Sequence, residues 1–217
     1  MRLPLLHPLA AALLLTAPPA LAQTGAAPET PPVDTTATDS PELRRLMEAD
    51  QAARQADWSQ LTPDSLRAIW TADSLRQVRV RELLADGAVR TPADHYHAAL
   101  VLQHGRDSTD YRQAYRLSRA AAEAGYDGAR WLVPRAYDRW QLSIGEPQVY
   151  GTQFFSGPDG AGLKLDEPHG LDAVTDAERA RWGLAPKAAI LEMAACVEET
   201  GDFRACAARR DAAPSDQ

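Results

Sequence analysis

The sequence predicts a mainly α-helical protein: a small helical bundle that carries one repeat-like helix hairpin and a short β-hairpin insert near residues 148–167. Three observations predict it. A capping residue followed by proline recurs at Ser40-Pro41, Thr62-Pro63 and Thr91-Pro92. Each pair puts a side-chain acceptor at a helix N-cap and proline at the first helical position, where no N–H is needed. Residues 114–139 place Ala114, Ala121, Ala122, Gly125 and Ala129 where two helices of a hairpin approach closely. Between residues 145 and 170 the helical pattern vanishes and glycine and proline cluster.

Helices therefore begin near 41, 63 and 92. A fourth runs from about 110 to 124, capped by Asp107-Ser108-Thr109 and stopped by Gly125. A fifth spans about 128 to 143, entered through Asp127, closed near Gly145 and kinked at Pro134. The insert reads as two short strands, 148–155 and 163–166, around turn signals at Ser156-Gly157-Pro158-Asp159-Gly160. A long irregular insert tends to be functional or disordered, and Tyr150, Phe154 and Phe155 argue against disorder alone. Thr175-Asp176-Ala177-Glu178 reads as a capping box for a short turn ending at Gly183, after which Pro186 opens a helix that ends at Gly201.

The first 22 residues carry Arg2, an apolar run over 9–15, Pro18-Pro19 and Ala20-Leu21-Ala22. This is the pattern of a cleaved signal peptide, with an apolar run too short to span a bilayer. The protein is thus expected to be exported, periplasmic or secreted, with no membrane span; no Cys follows the cleavage pattern to take a lipid anchor. Residues 23–40 hold one large apolar side chain, Val33, and read as a disordered linker. A single helical domain over 41–210 and a disordered tail over 211–217 complete the expected organisation. The formal charge is −7, or −8 without the Arg2-bearing leader, which argues against a nucleic-acid partner.

Cys196 and Cys206 are the two cysteines. An oxidising compartment closes such a pair, yet on one straight helix they stand about 15 Å apart, beyond the reach of about 7 Å between Cα atoms. Gly201 lies between them and can end one helix in a left-handed cap, so the disulfide is predicted to staple a helical hairpin.

Several constellations could carry chemistry. On the first helix the apolar stripe of Leu43, Leu46 and Met47 runs on to Asp50 and then Arg54. An acid and a base on the core side form either a partly buried ion pair that fixes helix packing or part of a polar pocket. His97 and His104 share a face of the third helix but stand about 10 Å apart along the axis, and His95 and His97 point to different sides. No metal site is expected, and no cofactor. His104 is the first choice for function because it ends an apolar run just before Gly105. Asp138 and Arg139 close the fifth helix, and Gln148-Val149-Tyr150-Gly151-Thr152-Gln153 crowds two amides, a phenol and a hydroxyl into six positions. In a strand, 148, 150 and 152 share one face; they either read a polar ligand or satisfy backbone groups at a sheet edge.

The small-residue spacing of 114–139 resembles the helix-turn-helix units of Sel1-like and tetratricopeptide repeats. The run Asp50-Gln51 with Arg54, Gln103-His104, Asp138-Arg139 and Gln148-x-Tyr150-Gly151-Thr152-Gln153 resembles an uncharacterised bacterial domain-of-unknown-function family. That family is marked by DQxxR, a helix-end QH, a DR pair and QxYGTQ. Residues 177–186 (AERARWGLAP) are similar to its closing segment, and the Cys-bearing hairpin departs from it. The resemblance implies no activity, but it groups Asp50, Arg54, His104, Asp138, Arg139 and the YGTQ segment as one site.

Signatures of common catalysts are missing: no GxSxG, P-loop, HExxH or GxGxxG is present. The leading expectation is an exported binding module whose pocket takes a small polar molecule or an envelope protein. Its ligand-binding residues would be Asp50, Gln51, Arg54, His104, Asp138, Arg139, Gln148, Tyr150, Thr152 and Gln153. Arg54 and Arg139 would hold an anionic or polar group, with Gln148, Tyr150 and Gln153 supplying hydrogen bonds. Two alternatives stay open: an enzyme using His104 with Asp50 or Asp138 as an acid-base pair, and a structural protein without a ligand.

Overall fold

The computed structural model describes residues 30–57, 60–156 and 163–212. The proposed signal peptide, residues 23–29 of the expected linker, turn residues 157–160 and tail residues 213–217 lie outside these. Helices start at the three cap-proline pairs: α1 is Pro41–Ala53, α2 Pro63–Ala85 and α3 Pro92–Leu102. Ser40, Thr62 and Thr91 each accept a first-turn backbone N–H, at 3.3, 3.2 and 3.0 Å. Asp94 completes a capping box at Thr91 and also accepts the Ser40 N–H at 2.7 Å. The N-termini of α1 and α3 are thereby tied together.

α3 is the central element, buried along its whole length except at Pro92 and Tyr96. It packs against α1, α2 and α4, and Leu43, Val80, Leu83, Val101, Leu102 and Leu117 form the main core. Each such side chain contributes about 1.5–3 kcal/mol on leaving water. α4 (Ser108–Glu123) begins at Asp107, whose carboxylate accepts the Asp110 N–H at 2.9 Å. It packs closely on α5 (Leu132–Ser143), with Ala114, Ala121, Ala129 and Ala136 fully buried.

α5 differs from expectation. A 3-10 turn over Asp127–Ala129 comes first, and Pro134 falls in the first turn of the helix rather than its middle. First-turn residues have no intrahelical N–H bond to lose, so a kink is not required there.

The β-hairpin is shorter than expected: β1 (Phe154–Ser156) pairs antiparallel with β2 (Leu163–Leu165) over three residue pairs. Residues 148–153 form no strand. Gly151 sits at φ 72°, which breaks an extended path, and the loop's N–H groups turn inward to a buried carboxylate. α6 (Asp176–Arg181), α7 (Lys187–Thr200) and α8 (Phe203–Ala212) follow. α8 runs two residues into the stretch expected as tail. Thr175 accepts the Glu178 N–H, but the Glu178 carboxylate accepts the Trp182 indole N–H at 2.7 Å, so the predicted capping box is one-sided. Gly201 caps α7 in the left-handed conformation, and the Cys196–Cys206 disulfide joins α7 to α8 with Cα atoms 5.8 Å apart.

Residues 30–40 correct the linker expectation. The Asp34 N–H donates to the Arg90 carbonyl at 2.8 Å and Arg90 Nη2 returns a bond to Asp34 Oδ2 at 2.9 Å. The ring of fully buried His95 lies 3.0 Å from the Pro31 carbonyl. Composition registers missing apolar surface but not such polar anchors, which strap this segment to the bundle. Among the described residues, no helix is long and apolar enough to cross a membrane.

Candidate functional site

The continuing stripe of α1 brings Asp50 beneath the end of α3, where it is 0 % exposed. His104 Nδ1 lies 2.8 and 3.1 Å from its two oxygens. A carboxylate only accepts, so Nδ1 carries the proton and Nε2 is left with a lone pair in the neutral ring. Gln51 Nε2 and Arg54 Nη2 also donate to Asp50, at 2.9 and 3.2 Å. Arg54 is shared with Asp73 of α2 at 3.0 Å, and Gln77 Nε2 holds the His104 carbonyl at 2.7 Å. His104 is thus positioned by α1 and α2 together, with its side chain 20 % exposed.

A second assembly forms around Asp138, also 0 % exposed. Its oxygens accept four donors at 2.8–3.0 Å: the N–H groups of Val149, Tyr150 and Thr152, and the Thr152 hydroxyl. Burial pushes this carboxyl above its usual range, and the four donors oppose the shift. Gln148 clips the same loop shut: its Nε2 donates to the carbonyls of Gln153 and Asp166, and its Oε1 accepts the Gln153 N–H. From the far side, fully buried Arg179 donates to the carbonyls of Val149, Tyr150 and Leu171, each at 2.8 Å. Gly151 is required twice over. Its left-handed φ disfavours a side chain, and a Cβ there would stand 2.8 Å from Ile190 Cγ2.

Arg139 joins the two assemblies. Its Nη1 donates to the Gln103 carbonyl at 2.7 Å and its Nε to Gln153 Oε1 at 3.1 Å. Its Cζ is 6.0 Å from the centroid of the Tyr111 ring. Among the described residues it makes no salt bridge, and burial, with the charge of Arg54, holds its pKa below the usual arginine value. Two of its five N–H donors are engaged. Neither Arg139 Nη2 nor His104 Nε2 has a hydrogen-bond partner among the described residues, and neither is sealed from solvent.

Arg139 and His104 both line an open cleft of about 350 Å³ between the end of α3, α5, β1 and α8. The sequence-predicted residues sort into three groups around it. His104, Arg139, Thr152 and Gln153 line the cleft. Asp50, Gln51 and Arg54 stand behind His104 and orient it. Asp138, Gln148 and Tyr150 do not reach the cleft; they are buried and hold the loop that carries Thr152 and Gln153.

Three expectations are therefore corrected. Asp138 has its acceptor sites filled by the loop, so it is not the partner of an acid-base histidine. The hydrogen bonds expected of Gln148 and Tyr150 go to the protein itself, and burial pushes the Tyr150 phenol up to about 12. Arg54 is engaged by two carboxylates rather than by the cleft.

Sequence reasoning missed Trp131, Arg135, Phe154 and Phe203, which complete the cleft wall. Trp131, Arg135 and Arg139 recur every fourth residue on α5, a spacing that was readable. Among the described residues, no cluster of three or more His, Cys, Asp or Glu could hold a metal ion. Among the described residues, the cleft lining carries three cationic or imidazole side chains, His104, Arg135 and Arg139, and no carboxylate, a set that suits an anionic group. No family model matches this chain, and neither a curated protein nor a solved structure matches it.

Proposed function

We propose that this protein is an exported helical binding module whose cleft holds a small anionic molecule. One observation carries the reading: Arg139 is a half-buried cation with no carboxylate partner among the described residues, and it lines the cleft beside His104. A desolvated, uncompensated charge is unfavourable in the empty protein, and an anion supplies what the fold omits. Thr152 and Gln153, fixed by the Asp138 loop, frame the same opening. The grouping of these residues by the QxYGTQ resemblance agrees with this reading.

The test is thermal melting of the protein with inorganic phosphate and with acetate. An anion that binds only the folded state adds about 2.7 kcal/mol of stability at a hundred times its Kd. Arg139→Met should erase the upward shift. Equal shifts in wild type and Arg139→Met, or no shift with either anion, would remove the support for the proposal.

A second reading, an acid-base enzyme, is favoured by the Asp50–His104 geometry alone. A buried carboxylate fixes Nδ1–H and presents Nε2 to the cleft, the orientation a general base requires. Among the described residues no serine, cysteine or lysine lines the cleft, and the Thr152 hydroxyl is engaged by Asp138, so water would be the nucleophile. Turnover of ester or phosphomonoester substrates that disappears in a His104→Gln protein still able to bind phosphate would establish it.

A further inference from the structure

The anion site takes up part of the cleft lining; aromatic side chains make much of the rest. Trp131 opens α5 and is 39 % exposed, with the Arg135 guanidinium 5.2 Å above its ring and Arg135 Nη1 donating to its carbonyl at 2.7 Å. The indole is thereby fixed at the rim. Phe154 of β1 and Phe203 of α8 meet edge to face, with centroids 5.3 Å apart and planes at 73°. All three rings line the same opening as Arg139 and His104. Eight residues of α5 separate Trp131 from Arg139, about 12 Å along the axis. Charge recognition and aromatic surface therefore share one small cleft.

An inorganic anion would use only the cationic side chains of the lining. The aromatic side chains would remain wet, although rings at that position gain most when a flat apolar group covers them. The volume, near the lower limit of small-molecule sites, fits one compact ligand rather than a peptide chain.

We propose that the cleft's ligand is a ring-bearing carboxylate: the carboxylate meets Arg139 Nη2 and His104, and the ring lies against Trp131, Phe154 and Phe203. This rests on the anion reading above and adds the chemistry of the rest of the ligand. The cationic side chains reject a neutral ring, and the aromatic ones make a bare carboxylate a poor ligand.

The experiment is calorimetric titration of the full chain with acetate, benzoate, 1-naphthoate and benzyl alcohol. Benzoate should bind about tenfold more tightly than acetate, and naphthoate more tightly again, because ring contacts of this kind carry roughly that factor. Benzyl alcohol should not bind detectably. Phe203→Leu and Trp131→Ala, each checked for an unchanged melting transition, should each weaken benzoate about fivefold and leave acetate unaltered.

Equal affinities for acetate and benzoate would overturn the ring assignment while leaving the anion site intact. A benzoate preference untouched by both variants would also overturn it, since the ring would then lie elsewhere. Benzyl alcohol binding as tightly as benzoate, or silence from every probe, would overturn the anion site itself and this proposal with it.

Discussion

Asp50 and His104 are 54 residues apart in the chain, yet a carboxylate oxygen of one lies 2.8 Å from the ring Nδ1 of the other. The carboxylate is sealed and the imidazole is not. The pair therefore works in one direction: the buried acid aims the accessible ring.

That asymmetry separates two variants. Asp50→Ala leaves Arg54, Gln51 and His104 without their shared acceptor and should lower stability by about 2–4 kcal/mol. His104→Ala removes a partly exposed ring and should cost under about 1 kcal/mol. Urea denaturation midpoints check the ordering; equal losses would mean that His104 is as structural as Asp50.

Asp138→Asn should be among the most damaging single-atom changes in the chain. The amide offers one acceptor oxygen where four donors now find two, and its NH2 faces backbone N–H groups. A loss of about 3 kcal/mol is expected, or roughly 6–12 °C in a protein of this size. A melting point near wild type would show that the 149–152 loop does not depend on this carboxylate.

Arg139→Met should behave oppositely. It removes a desolvated cation that lacks an acidic partner among the described residues, so its stability should stay within about 1 kcal/mol of wild type while phosphate and benzoate binding vanish. A collapse in stability would instead make Arg139 a structural tie between α3 and the Gln153 loop.

The segment at 30–40 should respond to acid. Hydrogen bonds from the Thr36 hydroxyl and N–H, with Arg90, hold the Asp34 carboxyl at about 2 against an ordinary 3.8. A carboxyl depressed in the folded state stabilises above its ordinary value and loses that contribution as pH falls through the folded one. Amide exchange at Thr36 and Ala37, whose N–H groups donate to Asp34 at 2.9 and 3.1 Å, should quicken between pH 4 and 2. An Asp34→Asn chain should show no such transition.

Opening the Cys196–Cys206 bond should loosen α8 locally. Closing so short a loop contributes about 2–3 kcal/mol, and α8 packs chiefly on α7. Cys196→Ser with Cys206→Ser should raise amide exchange across α8 and weaken benzoate binding through Phe203. Acetate binding, at Arg139, should hold.

What the sequence made legible follows from which forces are local. Helix starts at Pro41, Pro63 and Pro92 were readable because capping acts over three residues. Asp50 and Arg54 were readable because the period of α1 carries its apolar stripe onto them. The YGTQ run was visible as chemistry, but its direction was not. Whether Gln148 faces ligand or loop depends on Asp138 arriving from α5, a tertiary contact with no local mark. Arg179 was invisible as a buried residue because arginine belongs to the surface by default; only the three carbonyls converging on it override that preference. Phe203 joins the cleft through a turn at Gly201 and a disulfide, neither of which specifies what the ring will touch.

The strap formed by residues 30–40 has a practical corollary. Pro31 roofs a hollow of about 230 Å³ walled by Leu84, Ala85 and Leu102 beside the Arg81–Asp110 ion pair. A shortened chain beginning at Pro41 would unroof that greasy chamber and deprive the His95 imidazole of the Pro31 carbonyl. Such a trimmed product should take up fluorescent apolar dyes and clump on storage, so an expression tag belongs upstream of Thr30.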